Sequence, residues 1–229
     1  MPNIQKGHIH PIHQFISHAA REMAKIGFEV VEGPEVVNEY DNFDALRVPA
    51  DHPARDVQDT FWTTDGSLLR TQTSAMQIPA MKNRKPPVRI LVPGKVYRNE
   101  ATDSTHEAML YQLEGFAIDK NITMENLKWT IEYLLEKTLG KSIETKFFPH
   151  HYPFVEPGMD MMIKWHGRWL EILGSGMIHP EVLENMGVDP NKWQGFAFGA
   201  GADRLMMLQR EITEIRLSYS NDLRFLKQF

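Results

Sequence analysis

The sequence predicts an α+β fold in which helices flank a largely antiparallel sheet. Segments with strand periodicity and segments with helical periodicity alternate irregularly along the 229 residues, without the strand–helix–strand repeat of parallel α/β proteins. A run of strand formers ending at Val96-Tyr97-Arg98, a polar loop from Ala101 to Glu107 and a second run from Met109 to Ile118 predict a central hairpin. Antiparallel strands with interspersed helices are typical of this fold class.

The composition indicates a globular chain with a sizeable core. Hydrophobic residues make up 42% of the sequence and charged residues 24%, which suits one large domain or two small ones. Because no linker or repeat divides the chain, we expect a single domain over residues 1–229. Cysteine is absent, which excludes disulfides, thiolate zinc sites and cysteine nucleophiles. The histidine spacings do not by themselves make a fixed metal site.

Charge and hydropathy limit the partners that the chain can have. No apolar run approaches the length of a membrane span, and the N-terminus lacks the apolar core of a signal peptide. With the absence of cysteine, this predicts a cytoplasmic protein that does not contact a membrane. The net charge is −5, whereas proteins that bind nucleic acid unaided usually have a basic face. An RNA partner would therefore need another surface or another subunit.

The N-terminal half is predicted to begin with an amphipathic helix. Pro11 suits the first turn, apolar residues recur at helical spacing as far as Ile26, and Gly27 is a natural stop. Residues 27–34 are predicted to form a strand that ends in a proline, and such a strand lies at an edge or an interface. Residues 39–62 are predicted to form an ordered loop with short helical turns, since a flexible linker rarely holds so many large apolar side chains.

Capping and breaking residues delimit the later elements. Thr123 caps a predicted helix that Gly140 closes, and residues 152–158 are too rich in proline for a central strand. Gly199-Ala200-Gly201 is predicted to be a tight turn. The remaining predictions are strands at 68–70, 88–92, 143–148, 159–165, 168–173 and 196–198, a helix start at 71–74, and helices over 179–186 and 202–210.

The second strand of the hairpin carries polar side chains where a core strand would be apolar. Because side chains alternate along a strand, Gln112, Glu114 and Phe116 share one face, and Arg98 and Glu100 share one if the first strand extends that far. An unpaired buried charge costs several kcal/mol or more, so such a face needs partners. This pattern favours a binding site, and the alternative is a solvated hairpin with chance charges.

Two arginines from distant segments indicate a polyphosphate ligand. The sequence contains neither GxxxxGK[ST] nor GxGxxG. Glycines before Arg204 would allow a close backbone approach, and a guanidinium group offers several donors to phosphate. Arg98 in the hairpin could bind a second phosphate, which suggests a polyphosphate held at both ends. The alternative for Arg204 is a surface arginine paired with Asp203 or Glu211.

Three segments, in order, resemble the signature motifs of class II aminoacyl-tRNA synthetases. Motif 1 corresponds to about residues 19–34, motif 2 to about 95–118 and motif 3 to about 195–210. Beyond the class, the chain resembles the alpha subunits of bacterial phenylalanyl-tRNA synthetases over almost its whole length. The stretches that carry this resemblance include Asn42-Phe43-Asp44-Ala45-Leu46, Asp51-His52-Pro53-Ala54-Arg55-Asp56, Pro153-Phe154-Val155-Glu156-Pro157-Gly158, Gly176-Met177-Ile178-His179-Pro180 and Asn221-Asp222-Leu223-Arg224-Phe225-Leu226.

The resemblance implies a reaction and a set of partners. It implies a six- or seven-stranded antiparallel sheet that binds ATP in a bent form, with Mg²⁺ as the metal. The carboxylate of L-phenylalanine would attack the α-phosphate, pyrophosphate would leave, and the acyl group would pass to tRNA(Phe). This chemistry needs positioning and charge stabilisation more than a nucleophile. The implied partner is a large beta subunit in an (αβ)₂ heterotetramer.

The resemblance also assigns site residues. Arg98, Arg204 and His106 would be catalytic, and Glu100 would read the adenine amino group. The residues implied to contact ATP are Arg98, Glu100, His106, Leu110 and Arg204. Those implied to contact the amino acid are Trp62, Gln72, Ser74, Gln112, Glu114, Tyr152, Phe154, Val155, Ala197 and Gly199. Glu156 and Glu171 are the implied Mg²⁺ ligands, since this ion prefers oxygen ligands.

The sequence departs from the family pattern at several positions. Leu110 stands where an aromatic ring commonly stacks on adenine, Gln72 replaces a histidine, and Tyr152 replaces a phenylalanine and brings a hydroxyl near the pocket. The N-terminal coiled-coil arm of the family is also absent from this sequence. Two alternatives therefore stay open: a related adenylate-forming enzyme for another amino acid, and a silent regulatory or assembly subunit. The retained Arg98, Glu100 and Arg204 argue against the silent subunit.

Overall fold

The computed structural model describes residues 7–56, 59–99, 107–140 and 142–229. The strands are β1 (Glu29–Val30), β2 (Val36–Val37), β3 (Leu68–Leu69), β4 (Val88–Tyr97), β5 (Met109–Asp119), β6 (Thr145–Pro149), β7 (Val155–Trp165), β8 (Arg168–Ile178) and β9 (Gln194–Gly201). The helices are α1 (Pro11–Lys25), α2 (Glu39–Asn42), α3 (Gln77–Met81), α4 (Met124–Leu139), α5 (Pro180–Asn185), α6 (Ala202–Arg210), α7 (Arg216–Tyr219) and α8 (Leu223–Leu226), with 3₁₀ turns at Asp44–Leu46, Pro53–Arg55 and Thr73–Met76.

Within these residues, seven strands form one sheet in the order β1-β4-β5-β9-β8-β7-β6. Neighbouring strands are antiparallel except β1 and β4, which pair in parallel. The predicted α+β class and the largely antiparallel sheet are therefore confirmed. β1 is shorter than the strand predicted over residues 27–34, and it pairs at the edge of the sheet, as a strand that runs into proline must.

Alternation along β5 separates the two faces of the sheet as predicted. Leu113 and Ala117 pack in the core beneath α1, α4 and α6. Phe116 points to the other face, where it joins the core formed with residues of the 37–81 region and α5. Gln112 and Glu114 share that second face, because side chains two residues apart in a strand point the same way. We call it the cavity face.

The predicted helix ends are also confirmed. α1 begins at Pro11, and Gly27 just beyond it has φ +90°. α4 has Thr123 as its N-cap, and Gly140 follows it in the left-handed conformation with φ +72°. Glycine adopts this conformation without the steric cost of a Cβ atom. The segment predicted as an ordered loop with short helical turns contains α2 and two 3₁₀ turns.

Two predictions about the strands are wrong. Gly199-Ala200-Gly201 is not a tight turn but the end of β9, where Gly199 pairs with Glu114 of β5 and Gly174 of β8. The proline-rich stretch does contribute to an inner strand, because β7 begins at Val155 and includes Pro157. A register shift between Val155 and Gly158 accommodates the proline. In both cases the pairing of strands in the folded sheet outweighs the conformational preference of the local sequence.

Strand β4 ends at Tyr97, so the arginine that follows lies just past the strand. The predicted shared face of Arg98 and Glu100 cannot be compared with the structure, because Glu100 lies outside the described residues. In the described part of the chain, no helix has the length and hydropathy needed to cross a membrane.

Candidate active site

A cavity of about 540 Å³ brings together most of the predicted site residues that the structure describes. It extends along the cavity face of β5, β9 and β8 and past the end of β9 to α6. Arg98 and Arg204, from segments far apart in sequence, both line it. The other predicted residues that line it are Gln72, Ser74, Leu110, Gln112, Glu114, Tyr152, Phe154, Val155, Glu171, Ala197 and Gly199.

Glu114 is a buried carboxylate that lines the cavity. Its side chain is 2% exposed, and its two oxygens accept hydrogen bonds from Ser74 Oγ at 2.7 Å and Gln77 Nε2 at 2.6 Å. Burial raises the pKa of this carboxyl group to about 7, although both hydrogen bonds lower it. A carboxylate held in this way is suited to pair with a cationic amine.

Gln77 is a site residue that the sequence reasoning missed. It lies in the first turn of α3 and is 1% exposed, and its amide nitrogen donates to the carboxylate of Glu114. The available signal was the spacing of three residues from Ser74, which places both side chains on one side of a helical turn. That signal becomes meaningful only when β5 is known to lie beneath the turn.

Strand β9 cannot carry a side chain at position 199, next to Gln112 and Glu114 of β5. A Cβ atom on Gly199 would lie 2.7 Å from Gln112 Nε2 and 3.1 Å from a carboxylate oxygen of Glu114. Gln112 Oε1 also accepts a hydrogen bond from the backbone N–H of Thr73 at 3.1 Å. Position 199 is therefore glycine because the side chains of Gln112 and Glu114 come close to the backbone there, and not because the chain turns.

Aromatic and aliphatic side chains form the apolar end of the cavity. The rings of Tyr152 and Phe154 stack with centroids 5.7 Å apart. Val155 and Ala197 are each 3% exposed, and Ala197 pairs with Phe116 and Gly176 in the sheet. This end can enclose a flat apolar group, with ring contacts from Phe154.

The hydroxyl of Tyr152 does not enter the pocket as a free donor. It donates to Asp160 Oδ1 at 2.6 Å, and His150 Nδ1 lies 2.9 Å from the other oxygen of Asp160. Burial, followed by this hydrogen bond, raises the pKa of Tyr152. The phenol therefore stays neutral, and its proton is donated to Asp160. The structure makes Tyr152 compatible with the apolar pocket that the family pattern implies.

A β-bulge turns Glu171 toward the cavity. Ile172 and Leu173 both pack in the helix-side core, because the register between β7 and β8 shifts at this point. The shift reverses the alternation, so Glu171 lies on the cavity face. A single carboxylate that acts together with substrate phosphates is the usual protein ligand of Mg²⁺, so Glu171 fits the implied metal.

The structure does not bring Glu156 to the same position. Glu156 does not line the cavity; its side chain is 77% exposed and lies 3.6 Å from His179. Met162, the sheet partner of Glu171, is roughly 20 Å from Glu156 along β7 at about 3.3 Å per residue. One ion cannot bind both carboxylates. In the described residues, no group of three or more possible metal ligands is present.

Among the predicted amino-acid contacts, Trp62 lies apart from the others. Trp62 does not line the cavity; its Nε1 donates to the carbonyl of Arg55 at 3.2 Å, and its ring packs 6.4 Å from that of Phe43. It therefore does not reach Glu114 in this conformation. Glu100 and His106 lie outside the described residues.

Asp203 has a role that the sequence reasoning did not anticipate. Its carboxylate is 2% exposed and accepts hydrogen bonds from the backbone N–H of Tyr111 at 2.5 Å and from Tyr219 Oη at 2.6 Å. Burial raises the pKa of Asp203. It is therefore bonded to β5 and to the C-terminal segment rather than to Arg204, and Arg204 is exposed at the cavity.

We expect Tyr219→Phe to lower the free energy of unfolding by about 2 kcal/mol, because it removes a hydrogen bond to a buried carboxylate. Urea denaturation measures this difference. Tyr133→Phe is the matched control, since that hydroxyl makes only a long 3.5 Å contact with the carbonyl of Glu22, and it should change stability very little. Equal losses in the two variants would contradict the role of Tyr219.

The chain is similar to known proteins over its whole length. A family profile described as tRNA synthetases class II core domain (F) matches residues 1–229. The chain is 47% identical to the phenylalanine--tRNA ligase alpha subunit of Caldicellulosiruptor bescii, with 99% of this chain and 70% of the relative aligned. It is 48% identical to that of Cronobacter sakazakii, with 99% and 69% aligned.

A solved structure shares the fold at much lower identity. The pyrrolysyl-tRNA synthetase from Desulfitobacterium hafniense superimposes with a TM-score of 0.75 at 18% identity, over 94% of this chain and 75% of that one. The profile and the two close relatives cover almost the whole chain. The chain therefore belongs to the class II tRNA synthetase core domain family and, within it, to the phenylalanine--tRNA ligase alpha subunits.

Proposed function

We propose that this chain is the catalytic subunit of a ligase that activates L-phenylalanine with ATP and transfers it to tRNA(Phe). The observation that carries the proposal is the cavity itself. The buried carboxylate of Glu114, two arginines and an apolar end open into the same space. A free amino acid with an apolar side chain and a nucleoside triphosphate together present the complementary groups: an ammonium, a phenyl ring and a polyphosphate.

In this proposal Glu114 binds the α-ammonium group. Ser74 and Gln77 hold the carboxylate in place, so little reorganisation is needed when the cation arrives. An approaching cation also lowers the pKa of Glu114 from its value of about 7 in the empty cavity. The phenyl ring then extends toward Phe154 and Ala197, where the cavity is apolar.

The arginines act on the phosphates. The substrate carboxylate oxygen forms a bond to the α-phosphorus, and the bond from that phosphorus to the bridging oxygen breaks to release pyrophosphate. Arg98 stabilises negative charge on the α-phosphoryl oxygens during this displacement, and Arg204 binds the other end of the bent triphosphate. Glu171 would hold Mg²⁺, which when bound neutralises part of the phosphate charge. Glu100 and His106 are proposed to contact the adenine and the phosphates.

We also propose the setting in which this site works. Residues 1–229 would act as one catalytic domain in the cytoplasm, assembled with a large beta subunit as (αβ)₂. The name alpha subunit, which the relatives carry, supports a partner chain. A partner would also supply positive surface for tRNA that a chain of net charge −5 largely lacks.

Amino-acid-dependent ATP–pyrophosphate exchange tests the function directly. The chain, co-purified with its partner subunit, should exchange pyrophosphate with phenylalanine and with none of the other nineteen amino acids. Exchange with a different amino acid would reassign the substrate. Binding of a phenylalanyl-adenylate analogue without any exchange would instead indicate a silent subunit and overturn the proposal.

We expect Ala197→Gly to admit para-halogenated phenylalanine, because it removes a methyl group from the floor of the pocket. Exchange measured with para-chlorophenylalanine and with phenylalanine should show a ratio of kcat/KM values shifted toward the larger substrate. Ala200→Gly is the matched control: it lies on the same strand but packs in the helix-side core. Unchanged discrimination in Ala197→Gly, or an equal shift in both variants, would contradict the placement of the pocket floor.

A further inference from the structure

Beyond Glu171, the cavity face carries a cluster of lysines around a tryptophan. Lys146 Nζ of β6 lies 4.1 Å from the ring centroid of Trp169 in β8, and Lys164 Nζ of β7 lies 6.0 Å from it. These distances are those of cation–π contacts. We call Lys146, Lys164 and Trp169 the lysine–tryptophan surface.

Sheet register places this surface on the same face as the proposed active site. Lys164 pairs with Trp169, and Lys146 pairs with Met162, which in turn pairs with Glu171. Residues directly opposite in antiparallel strands point to the same side, so all of them share the side of Glu171. The alternating residues of these strands face the helix-side core instead, among them Phe147, Ile163 and Leu170.

The surface presents two ammonium groups to solvent. Lys146 and Lys164 are exposed, and Phe148, next but one to Lys146 and on the same face, is 46% exposed. Lys164 also pairs with Glu144 at 3.0 Å.

Two further charged residues border the surface. Glu144 is the ion-pair partner of Lys164, and Glu171 lies two residues from Trp169 on the same face.

We propose that the lysine–tryptophan surface binds the single-stranded 3′ end of the tRNA as it enters the cavity. This inference rests on the proposed function, which requires a polynucleotide end to reach the activated amino acid. Aromatic rings on which bases stack, combined with ammonium groups for the backbone phosphates, are the features that bind single-stranded nucleic acid. Glu171, which lines the cavity, lies two residues from Trp169 on the same face, so a bound strand continues into the active site.

The test separates tRNA binding from amino-acid activation. Trp169→Ala and the double variant Lys146→Ala/Lys164→Ala are made in the chain co-purified with its partner subunit. With a tRNA(Phe) transcript, each should raise the KM for tRNA in aminoacylation roughly tenfold, while ATP–pyrophosphate exchange without tRNA stays unchanged. In the double variant, the slope of log affinity against log salt concentration should become shallower by roughly 1.4, since two phosphate contacts are lost.

A matched pair elsewhere in the sheet provides the control. Lys120 Nζ lies 5.5 Å from the ring centroid of Trp193, near the opposite end of the strands, where Asp119 pairs with Gln194. Lys120→Ala should leave the KM for tRNA unchanged.

Three outcomes would overturn the inference: an unaltered KM for tRNA, a parallel fall in pyrophosphate exchange, or loss of the co-purifying subunit. The last outcome would assign the surface to a protein partner. Failure of the proposed function itself would appear differently, as absence of exchange in the unmodified protein.

Discussion

Replacing Arg98 with lysine should lower the kcat/KM of phenylalanine-dependent pyrophosphate exchange by roughly 10²–10³-fold. Loss of one group aimed at charge that develops in the transition state has an effect of this size. Lysine keeps the positive charge but lacks the planar fork that contacts two oxygens at once. The backbone carbonyl of Thr71, which accepts a hydrogen bond from Arg98 Nε at 3.3 Å, would also lose a donor that holds the side chain in the cavity.

The control for this change lies in the strand that precedes Arg98. Arg89 of β4 is exposed and pairs with Asp119 at 3.7 Å, away from the cavity, so Arg89→Lys should leave exchange unaltered. The kinetic pattern is also informative. We expect kcat to fall more than the KM for ATP rises, because Arg98 is proposed to act mainly in the transition state. Full activity in Arg98→Lys would contradict the proposed role of Arg98 in stabilising the transition state.

Glu114→Gln should abolish useful binding of phenylalanine and at the same time stabilise the empty protein. Loss of a buried partner of the ammonium group costs about 3 kcal/mol or more, so the KM for phenylalanine should rise at least roughly a hundredfold. Glutamine keeps the shape of the side chain and can still hydrogen-bond Ser74 and Gln77. The expected effect therefore comes from the charge and not from the packing.

The stabilisation depends on pH in a defined direction. Burial raises the pKa of Glu114 from 4.5 to about 7 in the folded protein, so the folded state favours the protonated form. The carboxyl group destabilises the folded state as pH rises from 4.5 through 7, and the difference approaches about 3 kcal/mol above that range. Glu114→Gln should therefore exceed the unmodified protein in stability at pH 8 and match it below pH 4.5.

Urea denaturation at pH 5, 6, 7 and 8 measures the effect. Glu184→Gln, a change at an exposed glutamate, should show no such trend. In the same pH range, protonation of Glu114 competes with the ammonium group, so the KM for phenylalanine should rise as pH falls below 7. A Glu114→Gln variant that is less stable than the unmodified protein at pH 8 would contradict the buried charge as the cause.

Several parts of the fold could be predicted because their causes are local. The helix caps at Pro11, Thr123 and Gly140 and the alternation of Gln112 and Glu114 depend on residues only a few positions apart. The position of Gln77 could not be predicted in this way: it contacts a carboxylate 37 residues away. Its role depends on which strand lies beneath its helical turn.

The wrong predictions share the same physical origin. Gly199 resembles a turn residue in isolation, yet it is needed in a strand because Gln112 and Glu114 occupy the space where its Cβ atom would be. Glu156 and Trp62 carry suitable chemistry, but strand length and a packing contact keep them out of the cavity. Neither constraint can be derived from the sequence until the pairing of the strands is known.

By itself, the sequence determined the fold class, the two faces of β5, and the two arginines and the carboxylate that line the cavity, because residue type and short-range periodicity indicate them. Only the tertiary structure decided that Glu171 turns into the cavity through a bulge, that Asp160 takes up the hydroxyl of Tyr152, and that Asp203 connects β5 to the C-terminal segment. These features depend on strand register and on contacts between distant segments, so no short stretch of sequence determines them.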